Sequence, residues 1–306
     1  MNRRIKEIIK NPLQIFFTLG HWGFLKWMPD ERFVKIGYRI RMKKKLNLEN
    51  PTTYNEKLQW MKLYNHDPEY TVMADKYGVR NLVKERVGED FLIPLLGVWE
   101  KFDDIDFNSL PNQFVLKCTH DSGGLIICRD KSKLDMKAAR KKLSRCLRQN
   151  YYGSGREWQY KNIPPRIIAE QYMVDESGTQ LKDYKFFCFD GEVKAMFVAS
   201  DRTTETKFDF YDKDFNRMPV MQHYKNSDNP IDKPSNYEEM IRIAEILSKG
   251  YPHVRVDLYN INGKIYFGEY TFFHFTGMER FEPDSYDDLF GSWIDLDKVK
   301  ESTNTL

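Results

Sequence analysis

The chain has 306 residues, a mass of 36.6 kDa and a formal net charge of +3. Hydrophobic residues make up 41% of it and aromatic residues 15%, which is enough for a packed core and excludes an intrinsically disordered chain. The mean hydropathy is −0.66, and Gln14, His21 and Lys26 interrupt the most apolar long stretch, so we expect no transmembrane helix.

Cysteine usage and the first residues of the chain predict a cytoplasmic protein. The basic start at Arg3 and Arg4 is not followed by a clean apolar segment and a small-residue cleavage site, as a secretory signal would be. No pair of cysteines has the CxxC spacing that would favour a zinc site. We therefore expect free thiols in a reducing compartment. The cysteines are Cys118, Cys128, Cys146 and Cys188.

Positive charge is concentrated in residues 1–50. This segment has 12 Lys/Arg and 4 Asp/Glu, which gives +8 and leaves −5 for the rest of the chain. Two interpretations stay open: surface helices that pack on the main body, or a segment that lies on the inner face of the anionic cytoplasmic membrane. The chain has no recognition-helix, zinc-finger or RNP pattern, so we expect no nucleic acid partner. Aromatic residues alternate with the basic ones at Phe16, Phe17, Trp22, Phe24, Trp27 and Phe33.

Beyond the basic segment, hydrophobic periodicity predicts a mixture of helices and strands. We predict helices over 55–64, 75–87, 135–150 and 236–249, with Gly88 and Gly250 ending the second and the last. We predict single strands over 113–118, 125–128 and 166–171. Two hairpins follow, 183–189 with 193–200 through Asp190-Gly191, and 253–260 with 264–271. This mixture predicts an α+β or α/β architecture.

The last hairpin carries the most informative polar residues. Alternation places Arg255 and Asp257 on one face of its first strand, and Glu269 and Thr271 on one face of its second. A two-residue turn would point Glu269 away from Asp257, so we predict a three-residue loop or an equivalent bulge that brings both carboxylates to one face. Two carboxylates on an apolar strand face suit Mg²⁺ that bridges phosphates, whereas a solvated Arg–Asp pair is the alternative.

Three other segments carry weaker signals. Lys117 lies on an apolar strand, where lysine is seldom buried without a partner, and a glycine-containing loop follows it. Ile167 to Met173 is a strand whose end would present backbone groups to a purine, and Asp183 and Lys185 share one face of the next strand. Each signal alone also fits an ordinary turn, a core strand or a surface ion pair.

The order of these segments resembles that of the ATP-grasp superfamily. More closely, the amino-acid sequence resembles the TupA-like family of that superfamily, which is associated with teichuronopeptide and other surface-polysaccharide biosynthesis. The resemblance covers roughly residues 50–285. Two departures are Thr271, where an asparagine is common, and residues 273–277, where members tend to read Pro-Gly-Ser-Gly. The matching stretches are 53–60, 74–77, 91–98, 114–118, 120–124, 182–187 and 254–259.

The resemblance implies two subdomains whose antiparallel sheets clasp ATP, preceded by a basic, largely helical N-terminal arm. We assign the arm to residues 1–50 and a mixed, helical region before the ATP-grasp core to residues 51–110. The small ATP-grasp subdomain would span residues 111–175. The C-terminal subdomain, with the metal site, would span residues 176–306.

The resemblance also implies a role for each matching site residue. ATP would be bound by Lys76, Lys117, Ser122, Gly123, Gly124, Glu170, Gln171, Met173 and Asp183. The transferred phosphate would be approached by Lys185 and Arg255, with Arg202 as a weaker candidate for the same task. Magnesium would be held by Asp257 and Glu269, with Thr271 as a third, less regular ligand.

The implied reaction is that of an ATP-dependent carboxylate–amine ligase with an acyl-phosphate intermediate, acting on a bacterial cell-surface or capsular polysaccharide or its precursor. Its partners would be a glycan or lipid-linked glycan acceptor and small carboxylate and amine substrates. Family members are often labelled glycosyltransferases, so a nucleotide-sugar glycosyltransferase stays open, as do an ATP-dependent glycan kinase and a non-catalytic assembly protein. The acidic pairs that a glycosyltransferase would need are 104/106, 212/214 and 295/297.

Overall fold

Two antiparallel β-sheets with packed helices form the described part of the chain, which in this computed structural model comprises residues 12–175, 178, 181–200 and 205–303. The first sheet has the strand order β1-β4-β2-β3 and the second the order β7-β6-β5-β8-β9, with every neighbouring pair antiparallel. The predicted mixture of helices and strands is confirmed. The strands are β1 (Leu95–Trp99), β2 (Phe114–Cys118), β3 (Leu125–Cys128), β4 (Ile167–Gln171), β5 (Asp183–Phe189), β6 (Glu192–Ser200), β7 (Lys207–Asp212), β8 (His253–Ile261) and β9 (Lys264–Thr271).

Ten α-helices accompany these strands in the described residues, and short 3₁₀ turns connect several of them. The predicted helices 55–64, 135–150 and 236–249 are present with slightly different ends. The domain boundaries at 50, 110 and 175 stay predictions. The helices are α1 (Ile15–His21), α2 (Asp30–Met42), α3 (Tyr54–Tyr64), α4 (Glu69–Ala74), α5 (Val79–Val87), α6 (Met136–Leu147), α7 (Tyr152–Gly155), α8 (Tyr237–Ser248), α9 (Ser285–Ser292) and α10 (Leu296–Thr303).

The predicted helix over 75–87 is wrong at its start, because two helices meet there. α4 ends at Ala74, and α5 begins at Val79. Between them, the Asp75 carboxylate accepts hydrogen bonds from the Tyr77 amide at 3.0 Å and from Arg166 at 2.8 Å. Aspartate side chains that bond the nearby backbone compete with helix formation, which explains the break.

Each sheet has one face packed on a helix and another that faces charged or aromatic groups. In the first sheet, Leu116 and Ala169 pack with Leu143 of α6 in one hydrophobic core. In the second sheet, Phe186 and its neighbours on alternate positions pack on α8. Because side chains alternate along a strand, Lys117 and Lys185 stand on the faces opposite these helices.

The segment 12–50, predicted as an arm, packs on the body of the protein. α1 crosses α7 at two glycines, where a Cβ on Gly20 would lie 2.6 Å from the carbonyl oxygen of Gly153. Beside this crossing, His21 hydrogen-bonds Ser154 at 2.8 Å, and Phe33 of α2 is fully buried. Within the described residues, no helix is both long and apolar enough to cross a membrane.

α3 is fixed to α9 through a buried carboxylate. Asp287 accepts two hydrogen bonds from Asn55, from the backbone amide at 2.9 Å and from the side-chain amide at 2.8 Å. Burial of the carboxylate raises the pKa of Asp287 to about 6, although these hydrogen bonds act against the shift.

Replacing Asp287 by asparagine should remove a pH-dependent loss of stability. Because the folded pKa lies above the ordinary value of 3.8, the unfolded chain ionises first, and stability falls as the pH rises from about 4 to about 6. Asparagine keeps an acceptor oxygen for Asn55. We expect Asp287→Asn to gain on the wild type with rising pH, by at most about 3 kcal/mol near neutrality, in urea unfolding curves.

The matched control is Asp90→Asn, which removes an exposed carboxylate that does not contribute to the Asp287 shift. That variant should follow the wild-type pH profile. A constant difference between Asp287→Asn and the wild type across this pH range would show that the Asp287 pKa is not raised.

Candidate functional site

A cluster of charged side chains lies on the face of the first sheet opposite α6. Glu170 pairs with Val115 across β2 and β4, and Lys117 pairs with Ile168, so that Glu170 and Lys117 share this face. The Glu170 carboxylate contacts the Lys117 ammonium at 2.6 Å and the Arg80 guanidinium at 3.2 Å. The Lys117 side chain is 22% exposed, and its ammonium is paired with Glu170.

The loop after β2 is tied to the same cluster. The Lys76 ammonium donates to the carbonyl oxygen of Asp121 at 2.5 Å. The Asp121 carboxylate accepts hydrogen bonds from the amides of Gly123 at 3.2 Å and Gly124 at 2.9 Å. Ser122 and Gly123 are exposed at the tip of the loop. This arrangement presents a short, glycine-containing loop after Lys117, as the sequence predicted, and Lys76 contacts that loop.

Glycine is required at one position of this loop by close packing. A Cβ on Gly124 would lie 2.7 Å from both the Cβ and the Sγ of Cys118. Atoms at that distance overlap, so a larger residue would displace the loop from the end of β2.

On the second sheet, Lys185, Asp257 and Glu269 lie directly opposite one another across three strands. Lys185 pairs with Asp257 across β5 and β8, and Asp257 pairs with Glu269 across β8 and β9. Paired residues in an antiparallel sheet point to the same face, so a lysine and two carboxylates form a row.

A β-bulge produces this row. The turn between β8 and β9 has two residues, Asn262 and Gly263, at φ 53° and 83°, so the predicted three-residue loop is wrong. Asp257 nevertheless pairs with Glu269 while Leu258 pairs with Phe267, which leaves Gly268 as the extra residue. The alternative prediction of an equivalent bulge is therefore confirmed.

Glycine suits the bulge because two backbones approach each other there. A Cβ on Gly268 would lie 3.0 Å from the carbonyl oxygen of Asp257. A side chain at this position would press directly on the residue that carries the site carboxylate.

Arg255 is the most extensively bonded side chain of the site. Its guanidinium donates to both carboxylate oxygens of Asp257, at 2.7 and 2.8 Å, and to the Thr271 hydroxyl at 2.8 Å. It also contacts the Nδ1 atom of His274. Lys185 contacts the same Asp257 carboxylate and lies 3.4 Å from Asp183. The buried Asp257 carboxylate is therefore paired with two cations, Arg255 and Lys185.

The charges of this group offset the cost of burying it. Burial by itself raises the pKa of Asp257, but the neighbouring Arg255 and Lys185 charges outweigh burial and hold the pKa below its ordinary value. For Arg255, burial lowers the guanidinium pKa, and the Asp257 carboxylate more than restores it. Asp257 is therefore ionised in the folded protein at neutral pH.

Glu269 differs from Asp257 in being half-buried and unpaired. Among the described residues, it has no ion pair and no hydrogen bond through its carboxylate. No group of three or more His, Cys, Asp or Glu side chains with metal-binding geometry occurs in this part of the chain. Two acidic side chains on one face nevertheless fit magnesium, which is commonly bound through one or two carboxylates, with phosphates and water as further ligands.

Three histidines near the site have structural partners. Burial, followed by the Arg255 charge, lowers the pKa of His274 well below its ordinary value. Its Nδ1 accepts from Arg255, which leaves Nε2 to donate to the Gln222 side chain at 2.8 Å. His253 is buried against Tyr54, and His120 is buried with its Nε2 atom 3.1 Å from a backbone carbonyl. His274 thus positions Arg255.

Sequence reasoning missed a second buried group that fixes the loop after β9. Lys62 of α3 is buried, and its ammonium donates to the Thr276 carbonyl at 2.7 Å and to the Thr276 hydroxyl at 3.1 Å. Gln59 donates to the carbonyl oxygens of Thr276 at 2.9 Å and Gly277 at 2.6 Å. Burial lowers the pKa of Lys62 to about 8, against the raising effect of nearby Glu157.

This fixed loop has an unusual backbone. Phe275, Thr276 and Gly277 all have positive φ, at 47°, 55° and 64°. Left-handed conformation in two successive non-glycine residues costs free energy, which the bonds from α3 offset. These residues lie within 273–277, the stretch in which the sequence departs from the pattern that the resemblance predicts. Spacing alone gave no signal that α3, some 215 residues earlier, supplies the supporting side chains.

The remaining predicted residues are Met173, Gln171 and Arg202. Met173, which follows β4, packs with Ile93 and with Ile261 and Tyr266 of the β8–β9 hairpin in a small apolar cluster. Gln171 is exposed, and its amide donates to the carbonyl of Pro94 at 3.0 Å. Arg202 lies outside the described residues.

The acidic pairs considered for a glycosyltransferase lie in turns and caps. The Asp212 carboxylate accepts from the backbone of Asp214 and Asn216, at 3.0 and 2.8 Å. Asp295 accepts from the backbone of Asp297 at 3.0 Å, just inside α10. Such carboxylates satisfy nearby backbone amides and need no ligand.

Comparison with known proteins identifies the family. The model of the TupA-like ATP-grasp family matches residues 56–295. The chain belongs to this family. Its two antiparallel sheets therefore form an ATP-grasp fold, and membership supports an ATP-dependent ligase as the general class of enzyme. No curated protein matches the sequence significantly.

Solved structures show a distant likeness. The D-alanine–D-alanine ligase of Bacillus anthracis complexed with ATP is 16% identical at a TM-score of 0.42, with 76% of this chain and 66% of that chain covered. The Helicobacter pylori D-alanine–D-alanine ligase is 11% identical at a TM-score of 0.42, and the match covers 84% of this chain and 70% of that chain. N5-carboxyaminoimidazole synthetase of Staphylococcus aureus is 14% identical at a TM-score of 0.38, and the match covers 65% of this chain and 44% of that chain. The chain thus spans less than two thirds of the first and third of these structures.

Within the ATP-grasp fold, each sheet of this family member contributes a set of charged groups. Lys76, Lys117 and the loop before β3 belong to the first sheet's side. Lys185, Asp257 and Glu269 belong to the second. The charged groups of the site thus divide into one set on each sheet.

Proposed function

We propose that this ATP-grasp protein is an ADP-forming carboxylate–amine ligase that modifies a bacterial cell-surface or capsular polysaccharide or its precursor. The observation that carries the proposal is the row of Lys185, Asp257 and Glu269 with Arg255 bound beside it. The row combines cations for a transferred phosphate with carboxylates for a metal. The acceptor class comes from the family resemblance.

The proposed nucleotide contacts follow from position and charge. Lys76 and Lys117 would bind the α- and β-phosphates, and Ser122, Gly123 and Gly124 would cover the triphosphate with backbone amides. Adenine would lie at the end of β4, against Glu170, Gln171 and Met173, and Asp183 would reach the ribose. Lys117 is paired with Glu170 in the described structure, so binding would redirect its ammonium from that carboxylate to a phosphate.

The reaction would proceed in two balanced steps. A substrate carboxylate oxygen attacks the γ-phosphorus, the bond to the β–γ bridging oxygen breaks, and ADP leaves. An amine nitrogen then attacks the acyl carbon of the acyl phosphate, the carbon–oxygen bond breaks, and phosphate leaves as the nitrogen loses a proton. Lys185 and Arg255 would orient and neutralise the transferred phosphate, which is most of what phosphoryl transfer needs from a protein.

Asp257 and Glu269 would hold the magnesium ion, with the Thr271 hydroxyl as a further oxygen on the same face. When bound, the ion neutralises charge on the phosphates. Because Arg255 already donates to Asp257 and Thr271, the half-buried Glu269 is the more available of the two carboxylates.

The proposal is tested first by ligand-induced thermal shifts with Mg-ATP, UDP-sugars and GDP-sugars. A ligand at about 100 times its dissociation constant adds roughly 2.7 kcal/mol to the free energy of unfolding, which moves the melting temperature by several degrees. We expect Mg-ATP to stabilise the wild type. Lys117→Ala should lose this shift, whereas Lys101→Ala, at an exposed lysine near the same sheet, should keep it.

The second part of the same test identifies the reaction. Incubation with Mg-ATP, a panel of small carboxylates and hydroxylamine should release ADP and phosphate and yield a hydroxamate, because hydroxylamine captures acyl phosphates. Phosphate retained on a glycan would instead assign a kinase. A shift with a nucleotide sugar and none with Mg-ATP would overturn the ligase and assign a glycosyltransferase.

A further inference from the structure

We propose that residues 22–28, termed here the aromatic loop, insert into the surface of an anionic lipid bilayer. The loop joins α1 to α2 and exposes three large aromatic side chains. Trp22 is 62% exposed, Phe24 64% and Trp27 70%. Each such ring carries a large apolar surface, and three within six residues exceed the scattered single hydrophobics of an ordinary protein surface.

The aromatic loop is held in a defined conformation by its own backbone. The amides of Trp22 and Phe24 donate to carbonyls of α1 at 3.0 Å each, and those of Lys26 and Met28 donate within the loop at 3.2 and 3.1 Å. Met28 is buried and fixes the end of the loop against the body of the protein. The exposed rings are thus presented by an ordered turn, which lowers the entropy lost on binding.

A buried arginine anchors the loop from beneath. Arg156, 2% exposed, donates to the carbonyl oxygen of Leu25 at 2.6 Å and lies 3.2 Å from the Asp30 carboxylate. Its guanidinium also stacks over the ring of Phe33, 4.3 Å from the centroid. The protein therefore uses a buried charge to hold a loop whose aromatic side chains are mostly exposed.

The charge around the loop selects anionic lipid. Residues 8–29 contain no acidic residue, and residues 1–50 carry a net charge of +8. Lys26 lies between Phe24 and Trp27 in the loop and is exposed. Basic residues near the bilayer surface contribute about 1 kcal/mol each towards anionic lipids, and tryptophan favours the headgroup level of a bilayer.

Other basic side chains continue along the next helix and its end. Arg32 and Arg39 of α2 lie two helical turns apart and are exposed, whereas the Lys35 ammonium is paired with Glu31 at 2.5 Å. Lys43 and Lys45 follow α2 and are exposed as well. Aromatic rings followed by cations are the composition expected of a surface that binds both the apolar and the anionic parts of a lipid interface.

The test is flotation of the full chain with vesicles of phosphatidylcholine, with and without phosphatidylglycerol. We expect the wild type to float with the anionic vesicles and to dissociate as salt is raised. The triple variant Trp22→Ser/Phe24→Ser/Trp27→Ser should lower the vesicle partition coefficient at least about tenfold. Trp27→Glu, a single exposed change that leaves the loop backbone intact, should weaken binding in the same direction.

The matched control is Val72→Ser/Ile127→Ser/Leu289→Ser, which removes three exposed apolar side chains elsewhere and should float like the wild type. Equal flotation of the wild type and the triple loop variant would overturn the proposal, as would equal binding to neutral vesicles. A wild-type dimer lost in the loop variant, without vesicle binding, would assign the loop to a second copy instead. The proposal concerns a surface and not a reaction, so its failure would leave the proposed ligase unaffected.

Discussion

Replacing Glu269 by glutamine should lower the rate of ADP formation at least about a hundredfold and leave the fold intact. Glu269 is a half-buried carboxylate with no ion pair or hydrogen bond in the described part of the chain, so glutamine removes no direct contact there. Glutamine keeps the size of the side chain and removes the charge that would bind magnesium. Activity should be measured against magnesium concentration, because a lost ligand also raises the concentration needed for half-maximal rate.

The control for Glu269→Gln is Glu100→Gln, at an exposed glutamate outside the row. Its rate and magnesium dependence should match those of the wild type. Both variants should melt within a few degrees of the wild type, because neither substitution removes an ion pair or a hydrogen bond between described residues. If the rate of the Glu269→Gln variant depended on magnesium concentration as that of the wild type does, Glu269 would not be a magnesium ligand.

The row of Lys185, Asp257 and Glu269 could be predicted in part from the sequence. Alternation placed Arg255 with Asp257 on one strand and Glu269 with Thr271 on the next. The turn and any bulge between the two strands decide whether Asp257 and Glu269 share a face. The short Asn262-Gly263 turn by itself gives the wrong register, and the bulge at Gly268 restores it. A glycine within a strand indicates a bulge, so this feature was within reach of the sequence.

Contacts between distant segments were beyond such reasoning. The bonds from Gln59 and Lys62 to Thr276 join residues more than 200 positions apart, and no local pattern marks them. Arg80 lies just beyond the matching stretch 74–77, and its pairing with Glu170 depends on how α5 packs beside β4. Strands β1 and β7 were missed altogether. β1 includes Gly97, which weakens a strand signal, and β7 follows residues with no turn pattern strong enough to predict its start.

Replacing Arg255 by methionine should have the largest effect on stability, about 3–5 kcal/mol. The Arg255 guanidinium contacts the side chains of Asp257, Thr271 and His274 within a buried region. Methionine fills much of the volume but leaves the Asp257 carboxylate with Lys185 as its remaining cation. Urea unfolding would measure the loss.

Arg255→Lys should be destabilised less, yet it should still be nearly inactive, because an ammonium cannot make the bidentate contact.

The pH dependence of this loss identifies its cause. In the wild type, Arg255 and Lys185 outweigh burial and hold the pKa of Asp257 below its ordinary value, so ionised Asp257 adds stability that is lost as the pH falls through the folded pKa. Without Arg255, burial should dominate and raise that pKa. The destabilisation of Arg255→Met should therefore grow as the pH rises from acid to neutral, and Arg255→Met/Asp257→Asn should recover part of it. A loss that is independent of pH and is not relieved in the double variant would trace the effect to packing against Phe197, whose ring lies 5.6 Å from the guanidinium carbon.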